Sequence, residues 1–544
     1  MTHLEDSLGI EYTYEYDDDT GNLTSAVSTS GQKVEITYGS SENINTNSNP
    51  IQTVTSDGSG SMKIVTSATY SGDGERTMTN TDSRGNTETY VYEGDSGNGQ
   101  YQRLSSATFD GITTSYSYDN VTDRLTKVQT GNASVSYGYY TDGSLMCIYQ
   151  GGYYYDFYYD AFGRTSRINV AERQLVRNYY DSLGRLNNVT YGNGNVASYT
   201  YDDRDQIKKV ETWGDTDQTA YYDYDSKGNV IEKTVENDKE RLNYTYLYDV
   251  LGRPISTYGG KTETRKSHSI AIKYDTKNRV VTVSNTVDGV GFKTTYSYNE
   301  ETGTIKELSS TKGSETFKKT YTLDDLGRIT SYLYNTGNST VEFTYLEGAG
   351  TGTTTTLVKT MKIGSVTYGY EYDKRGNITK VTKTVNDVTT EIQSYAYDNL
   401  NQLTRENNAE TNETVVYTYD NHGNILSKTV YPYNNTSATG ETVYYGYDSD
   451  WTDLLTSYDG DTITYDQIGN PLNYRDGFSF SWSDGRKLTS VKLDNGSVYM
   501  TGEYRYDDNG IRTYKEVNGN VTKYYLDGST ILTKNLVLTV SEIM

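Results

Sequence analysis

Tyr180-Asp181-Ser182-Leu183-Gly184-Arg185-Leu186 is the stretch on which the fold turns, because close copies of it return along most of the chain. Tyr222-Asp223-Tyr224-Asp225 leads into Gly228-Asn229-Val230, and Tyr246-Leu247-Tyr248-Asp249 leads into Gly252-Arg253. Tyr370-Glu371-Tyr372-Asp373 runs to Gly376-Asn377-Ile378, and Tyr417-Thr418-Tyr419-Asp420 to Gly423-Asn424-Ile425. The consensus is Y-x-Y-D-x-x-G, then Arg or Asn, then Leu, Ile or Val. Signature aspartates at Asp160, Asp181, Asp202, Asp225, Asp249 and Asp275 are 21 to 26 residues apart. A period of that size means a repeat architecture, in which one small unit is stacked many times.

The chemistry of one copy predicts a β-hairpin. Two tyrosines at i and i+2 lie on one face of a strand. The aspartate ends the strand and accepts hydrogen bonds from backbone amides two residues on. The glycine takes the positive φ that a side chain resists. The apolar residue after it opens the next strand. A lone hairpin is marginal in water, so the hairpins are expected to pair edge to edge. The fold class is therefore all-β, a continuous array of hairpins paired side by side into a long sheet. Arg164, Arg185, Arg253 and Arg328 follow the glycine and could stack on tyrosine rings or pair with the turn aspartate.

Regularity divides the chain into three. Residues 1–115 hold degenerate copies, such as Tyr90-Val91-Tyr92-Glu93, and Ser40 to Ser61 reads as a loop. Residues 116–535 form the regular array, with Tyr524-Tyr525-Leu526-Asp527-Gly528 the last recognisable copy. Residues 536–544 are a short tail without repeat.

Composition agrees with strands and tight turns. Only 33% of the 544 residues are hydrophobic, which would suggest disorder but for 59 tyrosines. A tyrosine buries a large ring and keeps one polar tip. Proline occurs four times, and few windows carry a helical period. The net charge of −24 repels phosphate, so nucleic acid is not an expected partner. No apolar run is long enough to span a membrane as a helix. No signal peptide is visible at the start of the chain. The single cysteine, Cys147, allows no disulfide within the chain and reads as a small apolar strand residue.

With these motifs the chain resembles the YD-repeat, or Rhs-repeat, family from about Tyr14 to Gly528. Wall-associated Rhs proteins of Gram-positive bacteria resemble it, and teneurins and the C component of Tc toxins do so more distantly. The resemblance implies a sheet that spirals into a hollow shell around a C-terminal toxic domain. It also implies secretion or display at the cell surface. The segment Tyr504-Arg505-Tyr506-Asp507 to Gly528 looks like the part that precedes the family's core. The family's Asp-Pro cleavage motif is missing, since none of Pro50, Pro254, Pro432 and Pro471 follows an aspartate. With little chain after Asn535, the expectation is a truncated shell segment whose cargo lies elsewhere.

The residues predict no enzyme and no cofactor. His3, His268 and His422 are far apart and read as surface histidines in turns. Asp17-Asp18-Asp19 and Asp448-Ser449-Asp450 carry carboxylates but do not continue into a calcium loop. Gly348-Ala349-Gly350-Thr351-Gly352 lacks the Lys-Ser/Thr of a phosphate loop. The leading expectation is a non-catalytic shell segment whose partners are a cargo toxin polypeptide or neighbouring shell segments. The alternative is an array that binds carbohydrate or cell-wall glycan by stacking tyrosines on sugar rings.

Overall fold

The computed structural model describes residues 2–6, 9–39, 49–57, 59–71, 76–93, 103–214, 217–237, 240–260, 267–527 and 530–537. Among these, forty strands are hydrogen-bonded into one sheet, and seven, between Asn473 and Val537, form a second. The only helical pieces among them are single 3-10 turns at Thr336–Asn338 and Arg475–Gly477. The chain is thus all-β, built as the tyrosine period requires.

Sequence neighbours are sheet neighbours. Arg173–Tyr180 pairs antiparallel with Leu186–Tyr191, that strand with Val196–Tyr201, and that one with Ile207–Trp213. The register shifts by one residue at the second tyrosine of each signature, as at Tyr179/Tyr180, Asp223/Tyr224, Leu247/Tyr248, Glu371/Tyr372 and Thr418/Tyr419. One extra residue on the outgoing strand makes a β-bulge, which bends the strand and raises its twist. The bulge was not foreseen from the spacing. It follows from a turn that closes on the aspartate before the ladder resumes.

Contacts group the chain into two compact units. One comprises residues 1–135, 274–281 and 294–442, the other 136–273, 282–293 and 443–544. In the first, Val341, Val381, Ile392 and Val415 are buried on four different strands, and Ile10 just before a fifth. In the second, Tyr153, Val170, Trp451 and Leu454 form an apolar cluster, with Tyr155, Leu175 and Tyr465 packed against it. Burial in both is thin and spread along the sheet, so the hydrogen-bonded turns carry much of the specificity.

Two expectations need correction. Within Ser40 to Ser61, read as a loop, Pro50–Ser56 is a strand paired with Lys33–Tyr38. Its Thr and Val content suits a strand, and its seven residues were hidden by the polar run around them. The rest of that reading at 40–48 and 58 lies outside the described residues. His268, expected on the surface, is 5% exposed in the strand His268–Tyr274, its ring between those of Tyr244 and Tyr525. The strand Thr530–Val537 takes in Leu536 and Val537, while Gly528 and residues 538–544 lie outside the described part.

Candidate functional site: the repeat turn and its staples

The turn at Asp181 shows what the signature residues do. The Asp181 amide donates to the Arg185 carbonyl at 2.9 Å, and the Gly184 amide to the Asp181 carbonyl at 3.0 Å. Oδ1 of Asp181 accepts the amides of Leu183 at 3.0 Å and Arg185 at 2.9 Å. Oδ2 accepts Nε of Arg185 at 2.7 Å. One carboxylate therefore satisfies the turn's inward-pointing donors, as a buried or half-buried backbone demands.

The other copies repeat this geometry. Asp249 holds the amides of Leu251 and Arg253 and, at 2.6 Å, Nε of Arg253. Where asparagine replaces arginine, its side-chain amide takes the same oxygen: Asn229 on Asp225 at 2.9 Å, Asn377 on Asp373 at 3.0 Å, Asn424 on Asp420 at 2.8 Å. At Asp160 and Asp225 such contacts stabilise the ionised form. The Arg164 guanidinium holds Asp160 below the ordinary carboxylate range, and the Asn229 side chain does the same for Asp225.

The glycines sit in the left-handed region, with φ of 87° at Gly184, 92° at Gly228, 81° at Gly252, 88° at Gly376 and 94° at Gly423. Asp205, Asn278 and Asn401 hold the same place in their copies at φ 64°, 68° and 62°. Asp and Asn are the side chains that tolerate this region best. Replacing Gly184 by valine is expected to cost more than replacing Ser182 by valine. The excess is about 1–2 kcal/mol from backbone strain, plus a clash, since a Cβ at Gly184 would lie 2.8 Å from Arg164 Nη1. Thermal melts of the two variants check this, and equal midpoints would contradict the turn geometry.

The second tyrosine of each signature ties its hairpin to the one before. Its hydroxyl donates to the carbonyl that follows the preceding turn: Tyr180 to Thr165 at 2.9 Å, Tyr224 to Ile207 at 2.6 Å, Tyr248 to Val230 at 2.9 Å. Tyr372 reaches Val358 at 2.6 Å and Tyr419 reaches Leu403 at 2.7 Å. Arginine adds a second tie. Arg164 lies 4.2 Å from the Tyr180 ring centre, Arg185 4.5 Å from Tyr201, and Arg328 4.1 Å from Tyr345. The two options left open for this residue are thus both taken in one side chain. Each contact is worth only about 0.5–1 kcal/mol, but the pair recurs at successive hairpins.

The first tyrosines are used differently. Tyr222 donates to Asp508 Oδ2 at 2.6 Å, in the second unit. Tyr246, Tyr370 and Tyr417 are partly buried, and burial raises the pKa of each phenol.

Distant segments also meet inside each unit. In the first, Arg84 donates to the Asp373 carbonyl at 2.8 Å, and Lys374 pairs with Asp110 at 2.9 Å. In the second, Asn193 donates to Asp466 at 2.9 Å, the Gly485 amide to Asn195 at 3.0 Å, and Gln218 to the Tyr506 carbonyl at 2.9 Å. Tyr153 donates to Asp453, and Arg173 pairs with Asp448 at 3.2 Å. Sequence reasoning named Asp373, Asp448 and Tyr506 for other reasons and foresaw none of these pairings. No local signal marks them, because each partner lies more than 250 residues away.

Among the described residues no three His, Cys, Asp or Glu side chains converge as metal ligands would. Asp17 and Asp448 spend Oδ1 on amides of their own turns. Cys147 is half-buried in its strand, and burial raises its thiol pKa.

The family described as Teneurin YD-shell matches residues 88–265. Over those residues the chain is similar to a YD-repeat shell. Curated relatives include the tRNA3(Ser)-specific nuclease WapA of Bacillus spizizenii, 38% identical over 78 residues. The tRNA nuclease WapA of Bacillus subtilis strain 168 is 37% identical over 78 residues. Each alignment covers 14% of this chain and 3% of the nuclease. Among solved structures, TcdB2-TccC3-Cdc42 superposes with a TM-score of 0.65 at 14% identity, over 95% of this chain and 31% of that one. TcdB2-TccC3-TEV gives the same values, a TM-score of 0.65 at 14% identity and the same shares of 95% and 31%. At this identity the likeness is one of fold. No helix among the described residues is long and apolar enough to cross a membrane.

Proposed function

We propose that the chain is a shell segment of an Rhs, toxin-type protein, non-catalytic itself, that encloses or presents a cargo polypeptide. The observation that carries this reading is the interval at which the chain meets itself. Contacts between distant segments are separated by 289 residues at Arg84 and Asp373, 264 at Lys374 and Asp110, 273 at Asn193 and Asp466, and 288 at Gln218 and Tyr506. Both units use nearly the same interval. A wall wound layer upon layer requires such an interval, whereas a string of independent domains has no reason for one. The fold likeness to TccC3 chains and the short likeness to WapA nucleases support the same reading.

In it, residues 116–535 form the regular wall, 1–115 its worn beginning, and 536–544 lie outside the repeat. The signature residues are the wall's fastenings. Partners are a cargo polypeptide and adjoining shell segments, and the place of action is outside the producing cell or on its surface. The second reading, glycan binding, rests on exposed rings such as Tyr154, Tyr258, Tyr444 and Tyr499, which are 49–64% exposed. Electron microscopy of the purified chain tests the first reading, with curved, walled particles as the expected result. Compact solid particles or straight rods would overturn it, and sedimentation with purified peptidoglycan would then favour the second.

A further inference from the structure

In the second unit the strand Val230–Asn237 meets the turn at Asp507–Gly510 through one pair of side chains. Nζ of Lys233 lies 2.8 Å from Oδ1 of Asp508, and the two side chains are 12% and 7% exposed. By contrast, Lys374 and Asp110, a lysine–carboxylate pair between distant segments of the first unit, are 64% and 41% exposed. Three further groups converge on the buried pair. Tyr222 donates to the second oxygen, Oδ2, of Asp508 at 2.6 Å. The Tyr244 ring lies 5.3 Å from the ammonium. Asp507 shares with Lys233 the lining of a cavity of about 170 Å³, together with Tyr246 and Ile270.

We propose that Lys233 and Asp508 condense into an amide, an intramolecular isopeptide bond that locks the two segments covalently. A buried ion pair of this kind gains little over its neutral form, because both charges have left water. Transfer of one proton from the ammonium to the carboxylate gives a free amine in contact with a carboxylic acid. The amine lone pair then attacks Cγ of Asp508. The hydrogen bond from Tyr222 steadies the charge that grows on Oδ2, as a donor fixed in a dry site does best. Asp507 is the proton carrier. Its Oδ1 is occupied by the amides of Asn509 at 3.0 Å and Ile511 at 2.8 Å. Burial, with the neighbouring Asp508, raises its pKa, so its carboxyl can both take a proton from the attacking nitrogen and return one to the departing oxygen. One N–C bond forms and one C–O bond breaks. Oδ1 leaves as water, Asp507 ends as it began, and nothing is oxidised or reduced.

The consequence fits the rest of the chain. Cys147 is the one cysteine, so no disulfide can join distant segments of the chain. An amide between residues 233 and 508 would do so without thiols, and would restrict the unfolded chain as any long-loop cross-link does. The test is the intact mass of the full-length purified chain, followed by peptide mapping. The expected result is a mass lower than that of the sequence by one water, with the peptides holding Lys233 and Asp508 recovered as a joined pair. Lys233→Arg, which keeps the charge but cannot condense, and Asp507→Asn, which keeps the turn acceptor but carries no proton, are expected to restore the full mass. A wild-type chain at its full sequence mass, or a loss of water that persists in Lys233→Arg, overturns the proposal.

Discussion

Replacing Trp451 by alanine is expected to weaken the second unit by about 3–5 kcal/mol, the usual loss when a large buried aromatic is removed from a core. Trp451 is 7% exposed and packs with Tyr153, Val170 and Leu454. Its ring also packs directly against the Gly469 backbone, where a Cβ would approach it to 2.8 Å. Trp213, 41% exposed, is the control, and its replacement by alanine should change stability by no more than about 0.5–1 kcal/mol. Urea unfolding followed by far-UV circular dichroism reads both. A Trp451→Ala transition that coincides with that of Trp213→Ala would mean this cluster is not a core. The effect is large because the cluster is small: removing one of its four buried members leaves little to hold the segment around Val170 to the one around Leu454.

Alkali is expected to unfold the protein over an unusually narrow range above pH 10. The cause is the tyrosine content. Burial, with Asp484 adding to it, raises the Tyr191 phenol to about 12, and burial with the Glu516 hydrogen bond raises Tyr514 to about 12. Burial also raises Tyr180's successors in the array, among them Tyr201, Tyr224, Tyr248, Tyr372 and Tyr419. The sign follows from linkage. A phenol whose folded pKa exceeds its unfolded value of about 10 stabilises the fold fully below that value. The contribution is lost as pH rises through the folded pKa, because the unfolded chain releases the proton first. On ionising, Tyr201, Tyr224, Tyr248, Tyr372 and Tyr419 would also lose the proton each donates to the preceding hairpin's carbonyl, so for these five ionisation and unstapling are one event. Parallel titrations of the 295 nm phenolate absorbance and the far-UV circular dichroism should show the two changes coinciding. Phenolate formation complete at pH 10 with strands intact would mean the rings are not buried.

Much of the local structure could be read from residue order. Tyr222 and Tyr224 on one strand face, Asp225 closing a turn and Gly228 at positive φ each follow from a preference acting within five residues. In the copies that lack glycine the aspartate was found, but the residue that stands in for glycine was not. Asp205 and Asn401 take the left-handed conformation in its place, and a search for glycine passes over them. The one-residue register shift at Tyr180 was also hidden, since it depends on how the turn's hydrogen bonds close. His268 was misjudged because its sequence neighbours, Ser267 and Ser269, are polar, while the rings that cover it are Tyr244 and Tyr525.

Hairpin, period and sheet direction come from interactions that act within one or two repeats: ring spacing along a strand, a carboxylate capping its own turn, a glycine relieved of strain. Those are written in the order of residues and need no distant partner. Which tyrosine meets Asp508, why Trp451 is buried beside two acids, and where Asn195 finds the Gly485 amide all depend on the curvature of the sheet. That curvature is the sum of many small twists and bulges. A slight change in each would bring a different pair of residues face to face, so no single stretch of the chain encodes the meeting.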